Sequence, residues 1–161
     1  MVDVLVAAPL RLELHWEQGV LAETVLGWAG EGEKPVLLTE EARSVQACLV
    51  RYVAGEDVEW PSLPLAWDRV TPFRRRVLQA LVTDVPAGAV TTYGDLAARA
   101  GSPDAARAVG GAMANNPWPL LIPCHRVLGG GGRLGGFSGA GLPMKRWLLD
   151  HEGCADKGAR C

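Results

Sequence analysis

Residues 92–117, TYGDLAARAGSPDAARAVGGAMANNP, decide how the second half of the chain folds. Thr92-Tyr93-Gly94-Asp95 approximates a capping box, with Asp95 in place of the usual Glu or Gln, and predicts a helix start; Gly101 predicts its stop. Ser102-Pro103 predicts a second start and Asn115-Asn116-Pro117 a second stop. Helix, glycine turn, helix is the outline of a helix-turn-helix, an outline that any αα-hairpin shares. The second helix consists almost wholly of small residues, Ala105, Ala106, Ala108, Gly110, Gly111, Ala112 and Ala114, with Arg107 its sole cationic side chain and Met113 its large apolar one. Two exposed glycines cost a helix about 1 kcal/mol each relative to alanine. Close packing against another helix is the favoured account of them from the residues alone; close approach of the backbone to something bulky, such as a nucleic-acid groove, is the other.

Downstream lies an apolar segment with three prolines, Asn116-Pro117-Trp118-Pro119-Leu120-Leu121-Ile122-Pro123-Cys124-His125-Arg126-Val127. Residues 129–141 then hold eight glycines in thirteen positions. A dinucleotide fingerprint can be traced loosely through them, but no strand-to-helix context with a following acidic residue supports it. A turning loop between a reactive segment and a last helix, from Pro143 toward Gly153 with Met144, Trp147 and Leu148 packed, is the better reading.

Upstream, Thr71-Pro72 supplies an N-cap and a favoured first helical residue for a helix presenting Phe73, Val77, Leu78 and Leu81, closed by Pro86-Ala87-Gly88. Trp60-Pro61-Ser62-Leu63-Pro64 is a connector, and the domain boundary falls there: an N-terminal α+β domain at 1–65 and a second domain at 66–161. Within the first, Leu10, Leu12, Leu14 and Trp16 alternate with charged neighbours. Val20, Ala22, Thr24 and Leu26 alternate again, so a half-buried β-hairpin is predicted. From Thr39 the period changes, and Ala42, Val45, Leu49, Tyr52 and Val53 share a helical face that Gly55 ends.

The length of 161 residues and 48% apolar content describe an ordinary globular chain with no apolar run long enough to cross a bilayer. The net charge of -2 hides an asymmetry, because residues 1–67 hold 4 Lys+Arg against 11 Asp+Glu and residues 68–161 hold 12 against 7. A basic half can meet a polyanion, although solvated faces are also charged. Cys48, Cys124, Cys154 and Cys161 form no Cys-x-x-Cys pair, and the N-terminus lacks a basic region ahead of its apolar residues. These features read as a cytoplasmic, reducing location in which each cysteine is a small hydrophobe or a nucleophile.

Cys124 is the candidate nucleophile, since the thiolate is the reactive form and the neighbouring His125 and Arg126 favour it. A buried inert cysteine is the bland alternative. Consecutive side chains diverge, so His125 is poorly placed to take the Cys124 proton directly and a relay through water is indicated. A carboxylate would orient the imidazole from its far side, with Asp95, Asp104, Asp150 and Glu152 as candidates.

Pro123-Cys124-His125-Arg126-Val127, together with Asn116-Pro117, Thr92-Tyr93-Gly94-Asp95-Leu96-Ala97, Arg107-Ala108-Val109-Gly110-Gly111-Ala112-Met113 and Trp147-Leu148-Leu149-Asp150-His151-Glu152-Gly153, closely resembles the O6-alkylguanine-DNA alkyltransferases. The resemblance covers roughly residues 71–153, and residues 1–65 match only in length and pattern. It implies an α+β protein: a small α/β-roll-like N-terminal domain, antiparallel sheet plus helix, then a mainly helical, winged-helix-like domain with the helix-turn-helix.

It also implies DNA repair by direct reversal, with irreversible single-turnover transfer of the alkyl group from a flipped-out O6-alkylguanine, with O4-alkylthymine as a further candidate, to Cys124. No cofactor and no metal are implied, and the partner is double-stranded DNA approached through its minor groove, by a monomer that meets no membrane. Carried over residue by residue, His125 is the base acting through water, Glu152 orients it, Tyr93 protonates the leaving base, and Asn116 ties the recognition helix to the active-site turn. The Cys124 and Val127 carbonyls accept from the exocyclic amine of the base. Arg107 takes the flipped base's place in the stack, Ala106, Ala108 and Gly110 line the groove contact, and Met113, Val127, Gly135, Phe137, Ser138 and Lys145 belong to the substrate pocket. The segment from Phe137 to Lys145 is one residue longer than in some members and carries Pro143, a difference that bears on pocket width.

Two other functions compete with this one. A non-catalytic binder of alkylated DNA would lack the acceptor cysteine, whose presence argues against it. A Cys-His hydrolase would need better geometry than adjacent residues offer, and no oxyanion-hole motif accompanies them.

Overall fold

The computed structural model describes residues 1–135, 137 and 139–154, and the chain divides into two compact units, Met1–Ala66 and Trp67–Cys161. The first holds an antiparallel sheet of β1 (Val2–Ala7), β2 (Leu10–Glu17) and β3 (Val20–Trp28), in that order, with helix α1 (Glu40–Val53) against β1. The alternation in β2 does what a half-buried strand requires: Leu10, Leu12, Leu14 and Trp16 are buried while Arg11, Glu13 and His15 are not. The residues buried on α1 are Ala42, Val45, Leu49 and Tyr52. Thr39 caps α1 by accepting from Ala42 N at 3.0 Å, and the fully buried Asp3 carboxylate accepts from Thr39 N, Thr39 Oγ1 and Trp16 Nε1, which ties β1, β2 and the helix start together.

Two details of this unit differ from the sequence pattern. Val2–Ala7 is a third strand, unmarked by strict polar alternation because Val2, Val4 and Val6 are apolar on the face opposite Asp3 and Leu5. In β3 the buried residues are Leu21, Thr24 and Leu26, not an even-numbered series. Between His15↔Glu23 and Trp16↔Leu21 the register slips, so Ala22 has no opposite number and the face alternation changes parity across it.

The second unit is mainly helical: α2 (Pro72–Asp84), β4 (Thr91–Thr92), α3 (Tyr93–Arg99), α4 (Ala106–Ala114), β5 (Val127–Leu128) and α5 (Gly141–His151), with short 3-10 turns at Trp67–Arg69, Cys124–Arg126 and Gly130–Gly132. β4 and β5 pair in parallel, Thr91 with Val127 and Thr92 with Leu128, which lays the start of α3 beside the exit from the Cys124 turn. Thr71 and Thr92 cap α2 and α3 as their sequences predict, accepting from Arg74 N and Asp95 N. Val77, Leu78 and Leu81 are buried on α2, Leu96 and Ala97 on α3, and Val109, Ala112 and Met113 on α4, while Phe73 is half-buried. Among the described residues no helix is long and apolar enough to cross a membrane.

Helix α4 begins three residues later than Ser102-Pro103 suggests. Ser102 N donates to Ala97 O and Gly101 N to Ala98 O, with Gly101 at φ +83°, so Ser102 completes the closing motif of α3 and is not available to open the next helix. A turn from Ser102 O to Ala105 N intervenes. Helix α5 begins earlier than Pro143, at Gly141; proline is tolerated there because first-turn N–H groups have no partner within the helix.

Candidate active site

The chain reaches Cys124 through a buried turn held by one side chain. Asn116 Nδ2 donates to Ile122 O and Asn116 Oδ1 accepts from Trp118 N, both at 3.0 Å, so one amide bridges the two ends of Trp118–Ile122. Trp118 is fully buried, edge-on to Trp67 at 4.9 Å between ring centroids. Leu120, 1% exposed, has φ +74°, a left-handed conformation costly for a branched side chain and sustained here by the surrounding packing.

Cys124 opens the 3-10 turn and is 2% exposed; His125 is fully buried. The imidazole Nε2 lies 2.8 Å from Glu152 Oε2, just beyond the last residue of α5. Asp95, Asp104 and Asp150 are exposed, so of the four candidate carboxylates it is Glu152 that stands against the ring. His125 Nδ1 is buried without a hydrogen-bond partner among the described residues, so the ring's second nitrogen has an unsatisfied polar atom. Burial drives the His125 pKa down, against the opposing pull of Glu152, and the Arg126 and Lys145 cations push the same way as burial. Burial would raise the Glu152 carboxyl, but His125 and Arg126 together outweigh it and hold the acid well below the ordinary carboxylate range.

Arg126 departs from its expected place beside the thiol. Its Nε donates to Glu152 Oε1 at 2.8 Å, Nη2 to Glu152 Oε2 at 3.3 Å, and Nη1 to Val85 O at 2.9 Å. A side chain next in sequence but one to Cys124 turns away because the buried carboxylate requires a partner. Lys145 is a cation that interacts with Cys124. It is fully buried on α5, donates from Nζ to Val127 O at 2.7 Å, and is pulled down to about 8 by burial, partly opposed by negative charge at Cys124.

Of the other pocket residues, Val127 and Met113 are buried, and Phe137, half-buried, meets the His125 ring edge-on at 6.4 Å between centroids. Gly135 has φ +66°, and a Cβ there would overlap the Tyr93 hydroxyl, so this loop glycine lies directly against the phenol at the head of α3. Ser138 lies outside the described residues. The structure thus gathers Cys124, His125, Glu152, Lys145, Val127 and Asn116 about one turn, and joins Tyr93 to Gly135. Among the described residues no group of three His, Cys, Asp or Glu side chains could hold a metal ion.

On α4, Arg107 and Ala108 are exposed and Ala106 and Gly110 half-buried. Helix packing does not explain the two glycines: a Cβ at Gly110 would have nothing within 4 Å, and one at Gly111 would meet only an Arg74 guanidinium nitrogen at 4.0 Å. Arg107, Gly110 and Gly111 follow helical i, i+3, i+4 spacing, so a cation stands on a strip of nearly bare backbone.

Sequence missed the Arg126–Glu152 pairing and the Val85 carbonyl; the available signal was a basic residue in an apolar segment, which must find a buried acid.

Residues 72–154 match the family model described as 6-O-methylguanine DNA methyltransferase, DNA binding domain. A methylated-DNA–protein-cysteine methyltransferase of Cricetulus griseus is 42% identical over 132 residues, covering 82% of this chain and 63% of that protein. One of Methanothermobacter thermautotrophicus is 34% identical over 139 residues, covering 86% and 74%. The chain therefore spans less than two thirds of the mammalian relative's length. Among solved structures, Mycobacterium tuberculosis OGT in complex with DNA is similar with a TM-score of 0.75 and 32% identity, over 98% of this chain and 94% of that one. The O6-methylguanine-DNA methyltransferase of Pyrococcus kodakaraensis gives 0.70 and 26%, over 94% and 98%.

Proposed function

Because the chain belongs to the 6-O-methylguanine DNA methyltransferase family, we propose that it repairs alkylated DNA by direct reversal, taking the alkyl group of O6-alkylguanine onto Cys124 once per molecule. The observation that carries this reading is the buried turn holding Cys124 and His125, in which His125 Nε2 lies against the Glu152 carboxylate and Nδ1 is buried with no hydrogen-bond partner among the described residues. In the transfer, the Cys124 sulfur forms a bond to the alkyl carbon as the bond from that carbon to O6 breaks. The thiol proton passes through a water to His125, and Glu152 stabilises the resulting imidazolium. Tyr93 supplies the proton that neutralises the departing guanine. The thioether has no route back to a thiol, so each molecule reacts once.

The DNA partner fits the exposed Arg107 on a helix face with bare backbone at Gly110 and Gly111. A minor groove admits such a surface closely, and an arginine there fills the place of an extruded base, offsetting an unstacking cost of a few kcal/mol. A reducing, cytoplasmic compartment belongs to this reading, since oxidation of Cys124 would consume the acceptor. Incubation with a duplex containing O6-methylguanine, followed by intact-mass measurement, tests it: one methyl is expected on wild type and none on Cys124→Ala. No addition to wild type, or addition that survives the substitution, overturns it.

A further inference from the structure

Among the described residues, His125 and Arg126 both meet the Glu152 carboxylate, and two of these contacts come from one guanidinium. Oε1 takes Arg126 Nε at 2.8 Å; Oε2 takes Arg126 Nη2 at 3.3 Å together with His125 Nε2 at 2.8 Å. Arginine offers N–H donors only and has no acceptor. His125 and Arg126 hold the Glu152 carboxyl ionised, and an ionised carboxylate only accepts, so the ring nitrogen facing Oε2 is the one that carries hydrogen. In a neutral imidazole the other nitrogen is then the lone pair. That nitrogen is Nδ1, the buried atom with no partner among the described residues.

We infer that Arg126 is a positioning residue for the transfer reaction: by holding Glu152 as an acceptor through both oxygens, it fixes His125 as the Nε2–H tautomer and leaves Nδ1 as the base. The arginine is fixed in turn from a different element. Its remaining Nη1 donates to the Val85 carbonyl, directly after α2, so the guanidinium plane is held at both ends. The charged groups around His125 are Glu152 and Lys145 from α5 and its end, and Arg126 from its own turn. Lys145 donates to the Val127 carbonyl. If Arg126 is replaced by an apolar side chain, Glu152 is free to take up a proton and donate it to Nε2. The ring hydrogen then moves to Nδ1, and the base is lost.

The test uses two variants of the full chain, Arg126→Met and Arg126→Lys, with the imidazole nitrogens labelled. Nitrogen-15 shifts of His125 report the tautomer on the protein alone; the rate of transfer from free O6-benzylguanine against pH reports the base. Wild type is expected to show Nε2–H. Arg126→Met is expected to shift toward Nδ1–H and to lose about tenfold in rate at pH 6, with a smaller loss at pH 8.5, where the carboxyl is again ionised. Arg126→Lys keeps the charge but not the two-pronged donor, and is expected to lie between them in both readouts.

An Arg126→Met protein that keeps the Nε2–H signal and slows equally at every pH would reduce the arginine to a structural role and overturn the inference. Should Arg126→Met not fold, an Arg126→Lys protein that matches wild type in both tautomer and pH profile overturns it equally. The inference rests on the alkyl-transfer reading for its rate measurement only: a wild type that transfers nothing while the tautomer still follows Arg126 would sink that reading and not this one.

Discussion

Lys145 donates from Nζ to the Val127 carbonyl at 2.7 Å from a fully buried position. The bond holds the strand just after the Cys124 turn, and it places a cation where a thiolate would form. Burial lowers the lysine to about 8 from an ordinary 10.5. Between those values the unfolded chain binds a proton that the folded one does not, so stability rises with pH in that window; below about 8 the charge is buried at full cost. Wild type should therefore gain up to about 3 kcal/mol on Lys145→Met between pH 7.5 and 10, read from paired denaturant melts. Transfer should slow in the variant at neutral pH, where the cation is present in wild type.

Glu152→Gln leaves the Arg126 guanidinium buried and uncompensated. The expected cost is about 3–5 kcal/mol at pH 7, with transfer slowed by about 10²–10⁴ if the imidazolium loses its support. Because the folded carboxyl lies below its ordinary 4.5, its contribution is complete above that value and is lost as pH falls through the folded one. Thermal melts of both proteins should converge below pH 4.5; a constant gap would assign the loss to packing.

Gly110 separates fold from function. With nothing within 4 Å of a Cβ there, Gly110→Ala should stabilise the protein by roughly 0.5–1 kcal/mol through helix propensity. Gly110→Leu should also fold, yet repair of duplex DNA should fall while transfer from free O6-benzylguanine is unchanged. Arg107→Ala should show the same split. Equal losses on both substrates would count against this face as the DNA contact.

Gly135→Ala should impair the loop twice over, through φ +66° and through overlap with the Tyr93 hydroxyl. A loss of about 1 kcal/mol is expected from backbone conformation alone. Tyr93→Phe relieves the overlap, so the double substitution should recover stability over Gly135→Ala while transfer stays low for want of the phenolic proton. Additive stability losses would show that the two residues do not meet as described.

The sequence was most legible where the determining interaction is local. Thr39, Thr71 and Thr92 cap helices within three residues of themselves, and Leu10 to Trp16 declare a buried face by simple alternation. The parity change at Ala22 was hidden, because a bulge depends on the partner strand. Ser102 misled for a similar reason: its bond to Ala97 belongs to the preceding helix.

At the site, the Cys124-His125 pair was evident from adjacency. Adjacency also gave Arg126 to the thiol, and there it misled.

By itself the sequence determined which residues could do the chemistry: one cysteine, its neighbouring imidazole, a short set of carboxylates, and a helix too small in side chain to be explained by its own stability. Tertiary structure decided among them. Only Glu152, of four acids, is removed from water against His125, and only there does burial make a guanidinium and an imidazole bind one carboxylate. Packing also emptied the space over Gly110 and so discarded the explanation by helix packing. Desolvation is the physical reason for the difference. It acts on groups brought together from distant parts of the chain, and it gives a buried charge a strength and a need for partners that no local pattern carries.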